Sequence, residues 1–254
     1  MDRLAFNAAA TINEMRMARQ QLSHEMANMN TNGFKKSYEV ALIAHKASGQ
    51  GFDSRFQPLA VPTDLIQLRP GPLIATGREL DVLLNGNSVM GVTAENGELA
   101  FTRRGDLRVN TSGALENGLG QLLRNEEGGN VTIPAGFMAR IADDGTVFAN
   151  DPSQPGVPQQ VPVGRLLLRD ASQTPLRRRE DGLFKADGQP SGTDFASGTE
   201  PVSLTVRALE GSNVNPMEAM VKMIEHSRAF EQQVKIIKNS TENDQAGAAM
   251  MKLS

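Results

Sequence analysis

The sequence predicts an α+β fold in which N- and C-terminal α-helices form a coiled-coil-like layer and a mainly-β domain is inserted between them. Three observations predict it. Apolar residues recur at spacings of three and four at both ends of the chain. Glycine-bearing turn dipeptides recur through the middle, separated by short β-prone runs. The 254 residues are 39% hydrophobic, enough for one substantial core or two modest ones.

Residues 1–44 read as a helix followed by an extended segment. Ala5, Ala8, Ile12, Met15, Leu22, Met26 and Met29 fall on one helical stripe, interrupted at Arg19, and Asn32-Gly33 supplies the stop. Residues 45–62, with Gly49, Gly51, Pro58 and Pro62, read as a connector. Residues 63–212 form the mainly-β domain, with turn signals at Asn85-Gly86, Asn96-Gly97, Ser112-Gly113, Asn117-Gly118, Asp144-Gly145 and Asp187-Gly188. The clearest hairpin pairs Met138–Ala142 with Thr146–Ala149. Pro152, Pro155, Pro158 and Pro162 make the stretch from Asp151 a loop and not a central strand. Residues 213–254 read as the second helix, with Asn215 as N-cap, Pro216 at the first helical position and Glu218 in the acidic first turn. Downstream, Met220, Met223, Ser227, Phe230, Val234 and Ile237 hold a 3-4-3-4-3 spacing, the seam of a coiled coil, which Thr241 and Asp244 continue poorly.

An isolated amphipathic helix is marginal in water until its apolar face finds a partner. One partner helix within the chain covers only part of this surface, and the remainder favours neighbouring copies. The competing reading is a helical hairpin packed wholly on its own chain. In the free chain, residues 1–36 and 216–254 are expected to be partly disordered.

The formal net charge of −3 offers no basic field for nucleic acid or anionic lipid. The absence of cysteine excludes disulfides, thiolate metal sites and cysteine nucleophiles. Neither an apolar h-region behind a positive cluster nor a run of about 18 uncharged apolar residues is present, so no cleaved signal peptide and no membrane span are expected. His24, His45 and His226 lack metal-ligand spacing, Gly118 and Gly120 do not make a dinucleotide loop, and Ser191 is not in a nucleophile elbow. Arg177-Arg178-Arg179, followed at once by Glu180-Asp181, reads as a solvated turn. No catalytic residue, cofactor or metal is expected.

Five segments carry a family resemblance. Ala27-Asn28-Met29-Asn30-Thr31-Asn32-Gly33-Phe34-Lys35 resembles the signature at the end of the N-terminal helix of flagellar rod and hook proteins. Leu80–Gly86 followed by Phe101–Leu107 is similar to the block that opens the family's β domain. Leu209–Val221 and Arg228-Ala229-Phe230-Glu231 resemble its C-terminal motifs. Glu25 stands where the family generally has Asn, and Val89-Met90 replaces its usual aromatic pair.

The resemblance implies a structural subunit of the bacterial flagellar basal-body rod. The length and the Ser240–Ala246 tail are most like proximal-rod members, with distal-rod or hook-type subunits as the alternative and a secreted β-domain binding module or hydrolase as a further one. It further implies export through the flagellar type III apparatus, other rod subunits as partners, and a rod core made by the terminal helices. The expected assembly residues are Ile12, Met15, Leu22, Met26 and Met29 on the first helix and Asn28, Thr31, Gly33 and Phe34 in the signature. On the second helix they are Met220, Met223, Phe230, Val234 and Ile237.

Overall fold

In the computed structural model, residues 2–38, 41–46, 56–61, 64–152 and 160–252 are described. The chain is mixed α+β, with a helix at each end and a β-rich middle. It divides into two compact units. The first comprises Met1–Ala27, Glu39–Thr63 and Asn215–Ser254, and the second Asn28–Tyr38 and Asp64–Val214.

In the first unit, α1 (Asp2–Ala27) and α2 (Pro216–Lys252) pack against each other, and the antiparallel pair β1 (Ala41–Lys46) and β2 (Phe56–Val61) joins them, with β2 against α1. Where Gly and Pro suggested a plain connector, the described residues are therefore strands; Gly49, Gly51 and Pro62 lie outside them. The start of α2 is set by its cap. Asn215 Oδ1 accepts from the Met217 and Glu218 amides at 3.0 and 3.4 Å, and its carbonyl takes the first helical bond from Ala219 N at 3.0 Å. Glu218 also meets Lys222 one turn on, at 3.1 Å. Helix α2 runs well past Ile237, because nothing between Thr241 and Lys252 stops it except Gly247, which a helix tolerates at a cost of about 1 kcal/mol.

The second unit holds the remaining strands: β3 (Leu73–Ala75), β4 (Val82–Leu84), β5 (Ser88–Thr93), β6 (Leu99–Thr102), β7 (Leu107–Val109), β8 (Leu115–Asn117) and β9 (Leu122–Leu123). After these come β10 (Met138–Ile141), β11 (Thr146–Asn150), β12 (Gln160–Arg165), β13 (Leu168–Asp170), β14 (Leu176–Arg178), β15 (Phe184–Ala186), β16 (Leu204–Val206) and β17 (Ala208–Glu210). The main sheet runs β14-β15-β6-β5-β9-β8-β7, and β13 and β9 share one edge of β5. Strands β10, β11 and β12 form a second sheet, and β16 with β4 and β17 with β3 form two-stranded pairs.

Strand β5 explains the placement of the cores. It is buried on both faces, sending Val89 into a cluster with Ile66, Phe101, Leu176, Phe184 and Phe195, and Met90 and Val92 into a larger cluster with Leu84, Leu107, Leu115, Leu123 and Val147. Phe101 and Phe195 meet edge to face at 4.8 Å.

The turn signals divide by outcome. Asn96-Gly97, Ser112-Gly113, Asn117-Gly118 and Asp144-Gly145 each join strands that pair with one another. Asn85-Gly86 does not, because the Asn85 amide is tied to Ser203 Oγ and Thr205 Oγ1, both at 3.0 Å, which couples β4 to β16 instead. Asp187-Gly188 follows β15 without closing a hairpin. Pro162 falls in β12 at the edge of its sheet, where a missing N–H is tolerated. The arginine run is not a solvated turn: Arg177 and Arg178 belong to β14. Arg177 Nε donates to Asp187 Oδ1 at 2.9 Å, and Arg179 pairs with Glu98 at 3.0 Å.

Candidate assembly surface

The two helices treat their apolar residues differently. On α1, Leu22 is buried and Ile12, Met15 and Met26 are half-buried, so this stripe is already partly covered within the unit, where α1 lies against α2 and β2. Lys222 and Gly247 are half-buried on α2, and the remaining covered positions are Ala219, Met223, His226, Ala229, Gln233, Ile237 and Ser240. They recur at threes and fours but share only Met223 and Ile237 with the seam read from sequence. Of the covered positions, Ala219, Ala229 and Ser240 are small and allow close approach.

Large apolar residues are left outside. Met217 is 71% exposed, Met220 46%, Val221 53%, Ile224 54%, Phe230 36% and Val234 45%. At 100° per residue, Met217, Met220, Val221 and Ile224 cluster on the side of α2 opposite Ala219, Met223 and His226. The first turns of α2 are therefore apolar on two sides, the pattern of a helix sandwiched between partners. Sequence reasoning missed Met217, Val221 and Ile224. Their signal was a second three-and-four stripe running beside the one that was read.

The signature residues following α1 sit in the second unit. Asn28, Met29 and Thr31 are half-buried, and Thr31 Oγ1 donates to Asn28 Oδ1 at 3.2 Å. Gly33 is buried with φ +70°, and a Cβ there would lie 2.5 Å from the Arg103 backbone carbonyl. No other residue type fits both demands. Phe34 stacks under the Arg178 guanidinium at 4.4 Å, and the same guanidinium donates to the Lys35 carbonyl.

Lys35 ends the signature in a fully buried ion cluster. Its Nζ donates to Glu210 Oε1 at 2.6 Å and to the Arg69 carbonyl at 2.8 Å. Arg103 Nε donates to the other carboxylate oxygen at 2.7 Å, and its remaining donors reach the carbonyls of Gly86, Ser88 and Leu84 at 2.8, 2.8 and 2.6 Å. The Gly71 amide donates to Glu210 Oε1 at 3.0 Å. Burial, then the charge of Arg103, lower the Lys35 pKa to about 8 against the pull of Glu210. The three charges come from three separate motif blocks. Nothing in any one block marks its charge as buried, and sequence reasoning did not bring them together.

Among the described residues, no three of His, Asp and Glu are grouped as a metal site requires. His24 is exposed and His226 half-buried, while the His45 side chain lies outside the described residues. No described helix is long and apolar enough to cross a membrane.

Comparison with known proteins places these features. Residues 206–250 match the family model for the flagellar basal body rod FlgEFG protein C-terminal region, and residues 83–149 match that for the flagellar hook protein FlgE/F/G D1 domain. The chain is 33% identical over 257 residues to the flagellar basal-body rod protein FlgF of Salmonella typhimurium strain LT2, covering 100% of both. It is 32% identical over 256 residues to the FlgF of Escherichia coli K12, covering 100% of this chain and 99% of that one. Identity to the flagellar basal-body rod protein FlgG of Buchnera aphidicola subsp. Baizongia pistaciae is 30% over 236 residues, covering 85% and 87%.

Proposed function

The chain belongs to the flagellar basal-body rod protein family, and from that membership we propose that it is a proximal-rod subunit that enters the shaft through its terminal helices. As a family member it is a structural subunit of the flagellar basal body that assembles with other basal-body components. The finer reading is that α2 is clamped between helices of neighbouring subunits, in the coiled-coil manner, so that torque passes along interlocked helices.

The observation that carries this is the apolar outward side of α2. Met217, Met220, Val221 and Ile224 stand in water in the free chain, yet burying such side chains contributes roughly 1.5–3 kcal/mol each when complete. Phe230 and Val234 lie farther round the helix, near the angle of Met223 and Ile237 at the edge of the inward face, and are also left partly exposed. Ile12, Met15, Leu22 and Met26 on α1 hold the helix pair in the form that presents it. Met29, Asn28, Thr31, Gly33 and Phe34 act by shaping the chain just after α1. The full-length likeness to FlgF proteins supports a proximal position over a distal one. Export through the flagellar type III apparatus, without a cleaved signal, would deliver the chain to the periplasmic part of the rod. No catalytic residue is assigned.

The test is imaging of purified basal bodies that carry a labelled copy of this subunit. Label at the base of the rod is the expected result. Label at the distal rod or hook would overturn the position, and label absent from basal bodies would overturn assembly.

A further inference from the structure

We propose that the Lys35–Glu210–Arg103 cluster is a conformational latch that splices the segment after α1 to the segment before α2, and that incorporation into the rod requires this latch to be shut. Only the last clause rests on the assembly reading; the first concerns the free chain. The chain leaves α1 at Ala27 and enters α2 at Pro216, and between these points two segments of the second unit lie side by side. Gly33 N donates to the Glu210 carbonyl at 2.7 Å, Asn213 N to the Phe34 carbonyl at 3.3 Å, and Lys36 N to Asn213 Oδ1 at 2.6 Å. Asn213 Nδ2 holds the Gln67 carbonyl at 2.9 Å. These bonds run beside the ion cluster, so one carboxylate and one asparagine side chain fix both segments against the body of the unit.

The choice of charges over apolar side chains is informative. A well-packed apolar plug stabilises as well as a buried ion cluster or better, so stability alone does not call for ions. Apolar contacts tolerate a small slide, whereas a slide here strands a buried cation or carboxylate with its hydrogen bonds unmade. Arg103 is also anchored to the carbonyls of Leu84, Gly86 and Ser88 around the start of β5, so the latch refers both segments to the most buried strand. It has no half-open position. Either both segments leave the unit at fixed points, or the cluster is broken.

The experiment uses the full chain and two substitutions, read by amide hydrogen exchange and by incorporation into basal bodies of cells lacking the native subunit. Glu210→Gln keeps size but removes the anion between two cations. The expected result is a rise of about 100-fold in exchange at Gly33, Lys36 and Asn213, with β5 and β6 amides changed by less than about threefold, as local opening requires. Incorporation should fall at least about tenfold, one decade per 1.4 kcal/mol. If Glu210→Gln does not fold, Lys35→Met decides, because it leaves the Arg103–Glu210 pair intact; it should loosen Gly33 and Lys36 and leave β5 and β6 protected. Equal increases in the two segments and in β5 and β6, or no increase at all, would overturn the latch. Loosened segments with normal incorporation would overturn its coupling to assembly. A parent chain that itself fails to enter basal bodies would overturn the assembly reading and not the latch.

Discussion

Replacing Ile224 with Asp separates assembly from folding more cleanly than any other single change. The side chain is 54% exposed in the free chain, so about half of it is already covered there. Complete burial of an isoleucine contributes roughly 1.5–3 kcal/mol, and half of this, about 1 kcal/mol, is what the free chain loses. The assembled state loses the other half and in addition must desolvate an unpaired carboxylate, a cost of about 3 kcal/mol or more. Together these give about 4 kcal/mol against incorporation, or nearly a thousandfold. The assay is co-sedimentation of the variant with basal bodies, alongside thermal unfolding of the soluble chain. The second unit should melt as in the parent, since Ile224 belongs to neither of its cores. A variant that incorporates within about threefold of the parent would show that the outward side of α2 stays in water in the rod, and the sandwich would have to be abandoned.

Phe230→Asp should also block incorporation, but with a larger loss of helix content in the free chain, measurable by circular dichroism, because only 36% of Phe230 is exposed. Lys35 predicts a pH dependence: its pKa is about 8 when folded against an ordinary 10.5, so between these values the unfolded chain holds the extra proton and stability from this group rises with pH. Guanidinium unfolding from pH 8 to 10 should show a contribution of up to about 1.4 kcal/mol per pH unit that vanishes in Lys35→Met, and an unchanged slope would refute it. Gly33→Ala forces an L side chain to φ +70° and onto the Arg103 backbone, which should lower the melting temperature of the second unit by roughly 5–10 °C. Deleting residues 216–254 should leave that unit cooperatively folded, since neither core cluster draws on a residue beyond Val206, while motility is not restored; a truncated chain that restores swimming would refute the role of α2.

The helices were legible because they are governed by local signals. The spacing of Ile12, Met15, Leu22 and Met26 and the Asn215-Pro216 cap act within a few residues, and both survive in the structure. The same holds for Asn96-Gly97 and Asp144-Gly145, whose flanking strands pair with each other. What could not be read is set by partners distant in sequence. Asn85-Gly86 has the chemistry of a hairpin turn, yet Ser203 and Thr205 claim the Asn85 side chain. Arg178 sits in a run of charge that reads as solvated, but Phe34 offers its ring face and Lys35 its carbonyl.

The seam on α2 is only partly covered within the chain, and that bears on function. A 3-4 pattern identifies an apolar face but not which surface covers it. Within the chain, α1 packs on α2, whose covered positions include the small residues Ala219, Ala229 and Ser240, which permit close approach. Met220, Phe230 and Val234, which a pairwise coiled coil would bury first, remain exposed. A sequence selected only for a stable hairpin would place its large apolar residues inward and its small polar ones outward. On α2 small and polar residues share the covered face with Met223 and Ile237, while Met217, Met220, Val221 and Ile224 stay outside, which is the distribution the proposed contacts with other subunits call for.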